Sequence, residues 1–229
     1  MILAVSGKAR SGKGEFAKIA EQKYGAQIIN FAGALKEEVI DFLQKQNIPF
    51  RLENIYGENK YREETFAIIK NNMLLDHDFP INDLTNRFGK TLLASNYLQT
   101  FISYRSLLQW WGTEYRRSQD NNYWVKRALA KCKPWTVEFG KDEIIKENLY
   151  IIDDLRFENE AIALIDAGAK LIRVERPNNP NPISNPWHES ECSLDEWIEW
   201  DYIIENASTL EEYHSSVRMV LEEILNGNN

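Results

Sequence analysis

Apolar positions open the chain as a nearly unbroken run. "ILAVS" (residues 2–6) has no polar alternation, so it predicts a strand buried on both faces. From Lys13 to Tyr24 the spacing changes. Phe16, Ala17, Ile19, Ala20 and Tyr24 recur at helical intervals, and Gly25 supplies a stop. "AQIINF" (residues 26–31) predicts a second strand, and "ALKEEVIDFLQKQ" (residues 34–46) a second amphipathic helix. Strand, glycine loop, helix, strand, helix is the order of a parallel sheet with right-handed crossovers.

The pattern then loses its regularity. Residues 47–91 are polar, with "YGENKYREE" and "DHDFPINDLTNRFGK" flanking the helix-like "FAIIKNNMLL". This predicts an inserted region near a substrate site, with residues 76–90 as a solvated excursion. A helical zone is expected over residues 92–102, then in "YRSLLQWWGTEYRR" and "NNYWVKRALAKC", which gives an inserted helical region over 47–133. The sheet resumes at "LYIIDD" (residues 149–154). "ENEAIALIDAG" reads as a helix stopped by Gly168, and "AKLIRVER" as the next strand. "PNNPNPISNPWHESE" has four prolines and no period, which suits a flexible lid over 176–192 with His188 as a local hydrogen-bonding residue. "SLDE" (residues 193–196) and "STLE" (residues 208–211) match capping boxes, the first for a short helix, the second before "EEYHSSVRMVLEEIL". "DYIIEN" between them is a last strand.

Composition narrows the setting. The 229 residues suit one domain carrying insertions, and 43% apolar content is enough for a core. No run of eighteen apolar residues and no leader-like segment is visible, so neither a membrane span nor secretion is expected. Two cysteines, Cys132 and Cys192, match no metal-ligand spacing and suggest a reduced, cytoplasmic protein. The net charge of −8 disfavours a nucleic acid partner and favours a small anion met by a few cations.

"AVSGKARSGKGEF" (residues 4–16) carries the most specific chemistry. Gly7 and Gly12 lie five apart and Lys13 follows at once. Glycines let successive backbone amides approach a phosphate, the helix N-terminus adds positive potential, and a lysine there reaches the outer phosphates. Gly14 stands where a hydroxyl ordinarily meets Mg²⁺. Water could replace it, Glu15 or Ser11 could compensate, or the loop could be a degenerate relic. Asp153 and Asp154, ending a core strand, offer a carboxylate for the metal or an N-cap for a helix, one role for each.

The helical zone concentrates cations beside aromatics: Arg105, Arg116, Arg117 and Lys126 among Trp110, Trp111, Tyr115, Tyr123 and Trp124. Arginine pairs bidentately with phosphate, and Gln109 could bond a base edge. The tryptophans fit a core helix better, whereas Arg105 and Arg117 fit a phosphate.

Five segments in this order resemble the deoxynucleoside monophosphate kinases of bacteriophages, a branch of the P-loop nucleoside monophosphate kinases. They are "SGKARSGKGEFA", "NFAGALKEEV", "RSLLQWWGTEYRRSQDNNYWV", "IIDDLRFENEA" and "YIIENASTLEE". The resemblance implies an α/β, P-loop NTPase three-layer fold with a parallel sheet, an inserted helical acceptor-binding region and a lid. It implies ATP as phosphoryl donor with Mg²⁺, and a small deoxynucleoside 5′-monophosphate as acceptor. Gly7, Arg10, Ser11, Gly12, Lys13, Gly14 and Glu15 would hold ATP, with Asn206 and Ala207 at the adenine. Phe31, Ala32, Lys36, Arg62, Arg105, Gln109, Gly112, Thr113, Arg117, Trp124, Arg156 and Glu160 would meet the acceptor. Lys13, Arg10, Arg117, Asp154 and Arg156 would be catalytic, with Asp154 and Asp153 at the metal. A homodimer stays open, and a phage origin would place the protein in the host cytoplasm.

The chemistry needs no strong base, because a phosphomonoester has a second pKa of about 6 and its oxygen is ionised at neutral pH. It needs cations and positioning for two polyanions. Two other readings compete: a P-loop kinase acting on a modified base in phage DNA, and a nucleotide-binding module without catalysis.

Overall fold

The computed structural model describes residues 1–68, 80–94, 97–132, 135–139, 142–146, 148–177 and 189–227. In chain order the elements are β1 (Ile2–Ser6), α1 (Lys13–Tyr24), β2 (Gln27–Ile29), α2 (Phe31–Lys45), α3 (Leu52–Tyr56), α4 (Asn59–Arg62), β3 (Thr65–Ile68), α5 (Ile81–Phe88), β4 (Lys90–Ala94), β5 (Tyr97–Ser103) and α6 (Tyr104–Trp110). α6 runs on as a π-helix (Trp111–Arg117), followed by α7 (Tyr123–Leu129), β6 (Trp135–Phe139), β7 (Asp142–Lys146), β8 (Tyr150–Leu155), α8 (Glu158–Asp166), β9 (Lys170–Glu175), α9 (Glu189–Cys192), β10 (Tyr202–Glu205) and α10 (Leu210–Asn226). They fall into two units, one of residues 1–31 with 125–229, the other of residues 32–124.

The first unit is built on a five-stranded sheet in the order β10-β9-β1-β8-β2, parallel throughout. β1 lies at its centre, so its apolar run is dry on both faces, with Leu3, Ala4 and Val5 fully buried. One face packs Leu3, Val5, Ile151, Ile172, Val174 and Ile204 against Phe16 and Ile19 of α1 and Tyr213, Val217, Leu221 and Ile224 of α10. The opposite parity is buried as well, in Ala4, Ile152 and Leu171, and α8 buries Ala161 and Leu164. This is an α/β parallel-sheet fold, as expected. Each such Leu, Ile or Val side chain contributes about 1.5–3 kcal/mol.

The register positions the chemistry. Ala4 pairs with Ile152, but Ser6 pairs with Leu155. β8 therefore advances three residues where β1 advances two, and the extra residue falls at Asp153–Asp154. Such bulges re-aim side chains at the end of a strand. The turn after β1 lies beside this irregularity, at the carboxyl edge of the sheet where open α/β sheets bind ligands.

The second unit differs from its prediction. The helix expected over residues 92–102 is instead β4 and β5, and "FAIIK" begins as strand β3, in a three-stranded antiparallel sheet of order β3-β5-β4. Phe66 and Ile102 face each other in this sheet and are both buried. β-branched and aromatic residues support pleated pairing, and partner strands distant in sequence are invisible to a local helical count. The excursion expected at 76–90 contains α5 with Leu84 buried, and Asp83 accepts a hydrogen bond from Trp110 Nε1 at 2.8 Å. The hairpin β6–β7 had no counterpart in the sequence reading. Residues 178–188 of the expected lid, His188 included, lie outside the described residues. The expected capping box at 193–196 forms no helix; α9 precedes it. The later box uses Thr209 and Glu212, one residue past the expected pair.

Within the second unit α2 meets the π-helix. Phe42 stacks near Trp111 with ring centroids 4.8 Å apart, and Leu35 lies against Gly112. Glu38 anchors the contact. It pairs with the Arg116 guanidinium and accepts from the Tyr123 hydroxyl at 3.1 Å, while Arg116 lies over the Tyr115 and Tyr123 rings. Among the described residues no helix is long and apolar enough to cross a membrane.

The Glu38–Arg116 pair is largely buried, with side chains 13% and 22% exposed. Removing one partner of such a pair strands the other charge, at a cost of about 3–5 kcal/mol. Glu38→Ala should lower the denaturant midpoint accordingly, and Glu38→Gln, which keeps the Tyr123 contact, should lose less.

Candidate active site

β1 ends at Ser6 and α1 begins at Lys13, so the chain reverses in six residues. Gly7 and Gly12 adopt φ of +150° and +120°. A Cβ on Gly7 would come within 2.3 Å of the Val174 carbonyl oxygen, and one on Gly12 within 2.8 Å of Asn206 Nδ2. Close approach of neighbouring chain therefore demands both glycines before any ligand is considered. Arg10, not a glycine, also takes a left-handed φ of +62°.

The loop's carbonyls turn onto protein donors. The Ser11 amide donates to Lys8 O at 3.1 Å, Arg176 to Arg10 O at 3.3 Å, Asn206 Nδ2 to Ser11 O at 2.8 Å, and the Tyr213 hydroxyl to Gly12 O at 3.0 Å. Tying the carbonyls of residues 10–12 to groups outside the loop turns their peptide units the way an anion nest at a helix N-terminus requires. Lys13 curls over the nest, donating to Gly7 O at 2.5 Å and Lys8 O at 2.9 Å. Burial first, and then the Arg156 charge, push its pKa down to about 8.

Asn206, expected at the adenine, clamps this loop through Nδ2, and Ala207 beside it is exposed. Glu15 pairs with Lys18 at 2.9 Å and His214 at 3.4 Å on the surface rather than facing the nest. Ser11 is 2% exposed, and its Oγ is buried with no hydrogen-bond partner among the described residues. Gly14 is open: a Cβ there would meet nothing within 4 Å.

The end of β8 supplies two carboxylates with different surroundings. Asp154 Oδ1 accepts the Phe31 amide at 3.0 Å and so holds the start of α2. Asp153 is half-buried. Desolvation raises its carboxyl above the usual range, against the opposing pull of its own amide and the Lys13 charge. A half-buried carboxylate whose burial penalty is only partly offset is a group that a bound cation would stabilise, and Ser11 Oγ is a second oxygen without a partner among the described residues. Mg²⁺ with water completing its shell is compatible with so few protein ligands, and no cluster of three His, Cys, Asp or Glu side chains occurs among the described residues.

Arg156 follows β8, and its guanidinium pairs with Glu191 on α9. Glu160, expected at the acceptor, is 2% exposed, and its Oε2 accepts the Arg156 and Phe157 amides at 3.0 and 3.2 Å, capping α8. Glu191 accepts the Ala9 amide of the loop at 2.7 Å. Burial alone would raise its carboxyl, but the Ala9 amide, Arg156 and Lys13 together hold it below the usual range. Asp195 pairs with Lys8 at 2.8 Å and with the buried Arg173 at 3.2 Å.

The second unit holds the remaining expected residues. Lys36 lies over the Tyr56 ring at 5.0 Å, Ala32 is exposed nearby in α2, and Phe31, on the first unit, is 5% exposed. Arg105 pairs with Glu63. Arg62 Nε is buried with no hydrogen-bond partner among the described residues. Gln109 and Thr113 are exposed and Arg117 half-buried. Trp124, expected at the acceptor, is 3% exposed, with Nε1 donating to Gly112 O at 3.0 Å. The π-helix adds residues to the turn that carries Thr113, Arg116 and Arg117. Such widening recurs at functional sites.

Sequence reasoning missed Glu191, Arg173, Tyr213 and Glu38. Tyr213 stands in an ordinary helical stripe and Glu191 in an irregular segment, so nothing local marks them. Arg173 carried a faint signal, a lone charge inside the apolar run "KLIRVE".

The sequence model of the deoxynucleotide monophosphate kinase family matches residues 60–217. A putative deoxynucleotide monophosphate kinase of Acanthamoeba polyphaga mimivirus is 34% identical over 118 residues, 49% of this chain and 58% of that protein, so the match spans little more than half its length. The deoxynucleotide monophosphate kinase of Enterobacteria phage T4 is 26% identical over 256 residues, covering 96% of this chain and 98% of that protein. A solved dephospho-CoA kinase from Campylobacter jejuni aligns over 100% of this chain and 98% of its own at 16% identity, with a TM-score of 0.48.

The glycines separate by their surroundings. Gly7→Ala forces both a backbone strain and a 2.3 Å contact, so thermal unfolding should show a loss of at least about 3 kcal/mol. Gly14→Ala, in the first turn of α1 and in open space, should raise stability by about 0.5–1 kcal/mol.

Proposed function

The chain belongs to the deoxynucleotide monophosphate kinase family, and on that premise we propose that it transfers the terminal phosphoryl group of ATP to the 5′-phosphate of a deoxynucleoside monophosphate. The family implies a nucleotide phosphoryl donor and a small nucleotide substrate. The observation that carries the donor side is the amide nest, with its carbonyls held outward and Lys13 across its mouth. Such a cradle recognises a phosphate chain through backbone atoms.

In the reaction an acceptor phosphate oxygen attacks the terminal phosphorus, and the bond to the bridging oxygen of the donor breaks. The acceptor is already ionised, so no side chain need take a proton. Lys13 neutralises the outer phosphates of the donor. Arg156, once parted from Glu191, and Arg10 are the further cations for the transferring group. Asp153 and Ser11 would hold Mg²⁺, which supplies charge neutralisation on the triphosphate. Asp154 acts through the start of α2 rather than on the metal. On the second unit, Arg62, Arg105, Lys36 and Arg117 are the cations for the acceptor phosphate, and Gln109 and Thr113 the exposed polar groups for its base or sugar.

The test is ATP consumption measured with each of the four deoxynucleoside monophosphates. At least one should support turnover, and a flat response to all four would overturn the proposal. Lys13→Ala should cost roughly 10²-fold or more in kcat/KM while leaving the melting temperature near its normal value, because preorganised charge contributes most of the rate in such sites. Arg156→Ala should cost on the order of 10³-fold, the scale of a transition-state arginine. Asp153→Asn should shift the Mg²⁺ activation curve more than the acceptor KM, whereas Asp154→Asn should not.

A pH dependence follows from Lys13. Its free-state pKa is about 8, and a bound triphosphate stabilises the protonated form. Binding therefore takes up a proton above about pH 8. Donor affinity should be constant below that value and fall by up to about tenfold per pH unit above it. Calorimetry at pH 8.5 in two buffers of different ionisation heat should detect the uptake, and Lys13→Arg, which stays charged, should abolish it.

A further inference from the structure

Glu191 does something that the transfer reaction does not require. Its two carboxylate oxygens accept from the Ala9 amide, inside the nest segment, and from the Arg156 guanidinium. Lys13 lies close enough for its charge to be felt. A backbone amide of the loop, a guanidinium and an ammonium are the donors that a terminal phosphoryl group would use. The side chain that engages them is only 9% exposed, so its negative charge is held in a desolvated place where an unpaired carboxylate would be costly.

We infer that Glu191 is an internal stand-in for the donor's terminal phosphate, and that nucleotide binding must expel it. This rests on the donor reading above and deepens it. The anion hole is kept filled when no nucleotide is present, which offsets part of the mutual repulsion of Lys13 and Arg156. The entering triphosphate competes for the same partners, and two anions cannot share one desolvated set of donors. Expulsion frees Arg156 to meet the transferring group. It also releases α9 from the loop, leaving its neighbour Asp195 on the rim pairs with Lys8 and Arg173 as the hinge-side tether.

Cys192, the next residue, is a half-buried thiol outside any disulfide and a built-in reporter. Peptide-resolved alkylation compares it with Cys132 as an internal reference. In the unsubstituted protein the Cys192 rate should rise as ATP is added. In Glu191→Gln it should already be raised without nucleotide, with little further change on adding ATP. Calorimetry should show ATP bound about tenfold more tightly by Glu191→Gln, the gain expected if about nine molecules in ten are otherwise latched. An unaltered Cys192 rate in nucleotide-free Glu191→Gln would overturn the inference, as would weaker ATP binding by that variant. The nucleotide-free arm stands apart from the donor reading: a raised rate there, with no response to ATP in either protein, would support the latch and sink the ATP assignment instead.

Discussion

The structure turns on where the carbonyl oxygens of one short loop are held. A six-residue reversal between β1 and α1 has more backbone acceptors than it can satisfy internally. Asn206 from beyond β10 and Tyr213 from α10 take two of them, so residues from the far end of the chain shape the loop. With the oxygens tied outward, the amides converge. Gly7 and Gly12 are required because Val174, Asn206 and Tyr213 press against the loop from outside. The loop's conformation is thus a consequence of packing at the carboxyl edge of the sheet.

Charge is then distributed around the cradle by degree of burial. Lys13, Arg156 and Arg173 crowd one region, and burial first, then the neighbouring guanidinium charges, depress the pKa of Lys13. Three carboxylates answer them in different ways. Glu191 and Asp195 pair directly, while Asp153 stays half-buried with a raised carboxyl. A site that is electrostatically unfinished without its ligand gains most when a polyanion and its counterion arrive together.

The second unit solves a different problem. An antiparallel sheet and a run of aromatics hold α2 to a widened helix through the buried Glu38–Arg116–Tyr123 cluster. Arg116 is thereby a structural residue, its guanidinium shared between a carboxylate and two rings.

Much of the first unit was legible in the sequence because its signals are local. An apolar run, two glycines and a lysine, and a helical stripe from Phe16 to Ala20 suffice to specify strand, turn and helix, and "LYIIDD" and "KLIRVE" mark buried strands by apolar content alone. The antiparallel strands β3 to β5 were not legible, since pairing such as Phe66 with Ile102 joins residues far apart in the chain. The same limit applies to the site. Residue types at fixed spacing identified Lys13 and the Asp153–Asp154 pair. Only the tertiary structure decided that Asp154 holds a helix and Asp153 does not, that Glu160 is a cap and Trp124 core, and that Asn206, Tyr213 and Glu191 converge on the loop. Those decisions depend on a one-residue bulge and on contacts across nearly two hundred residues, and neither leaves a periodic trace along the chain.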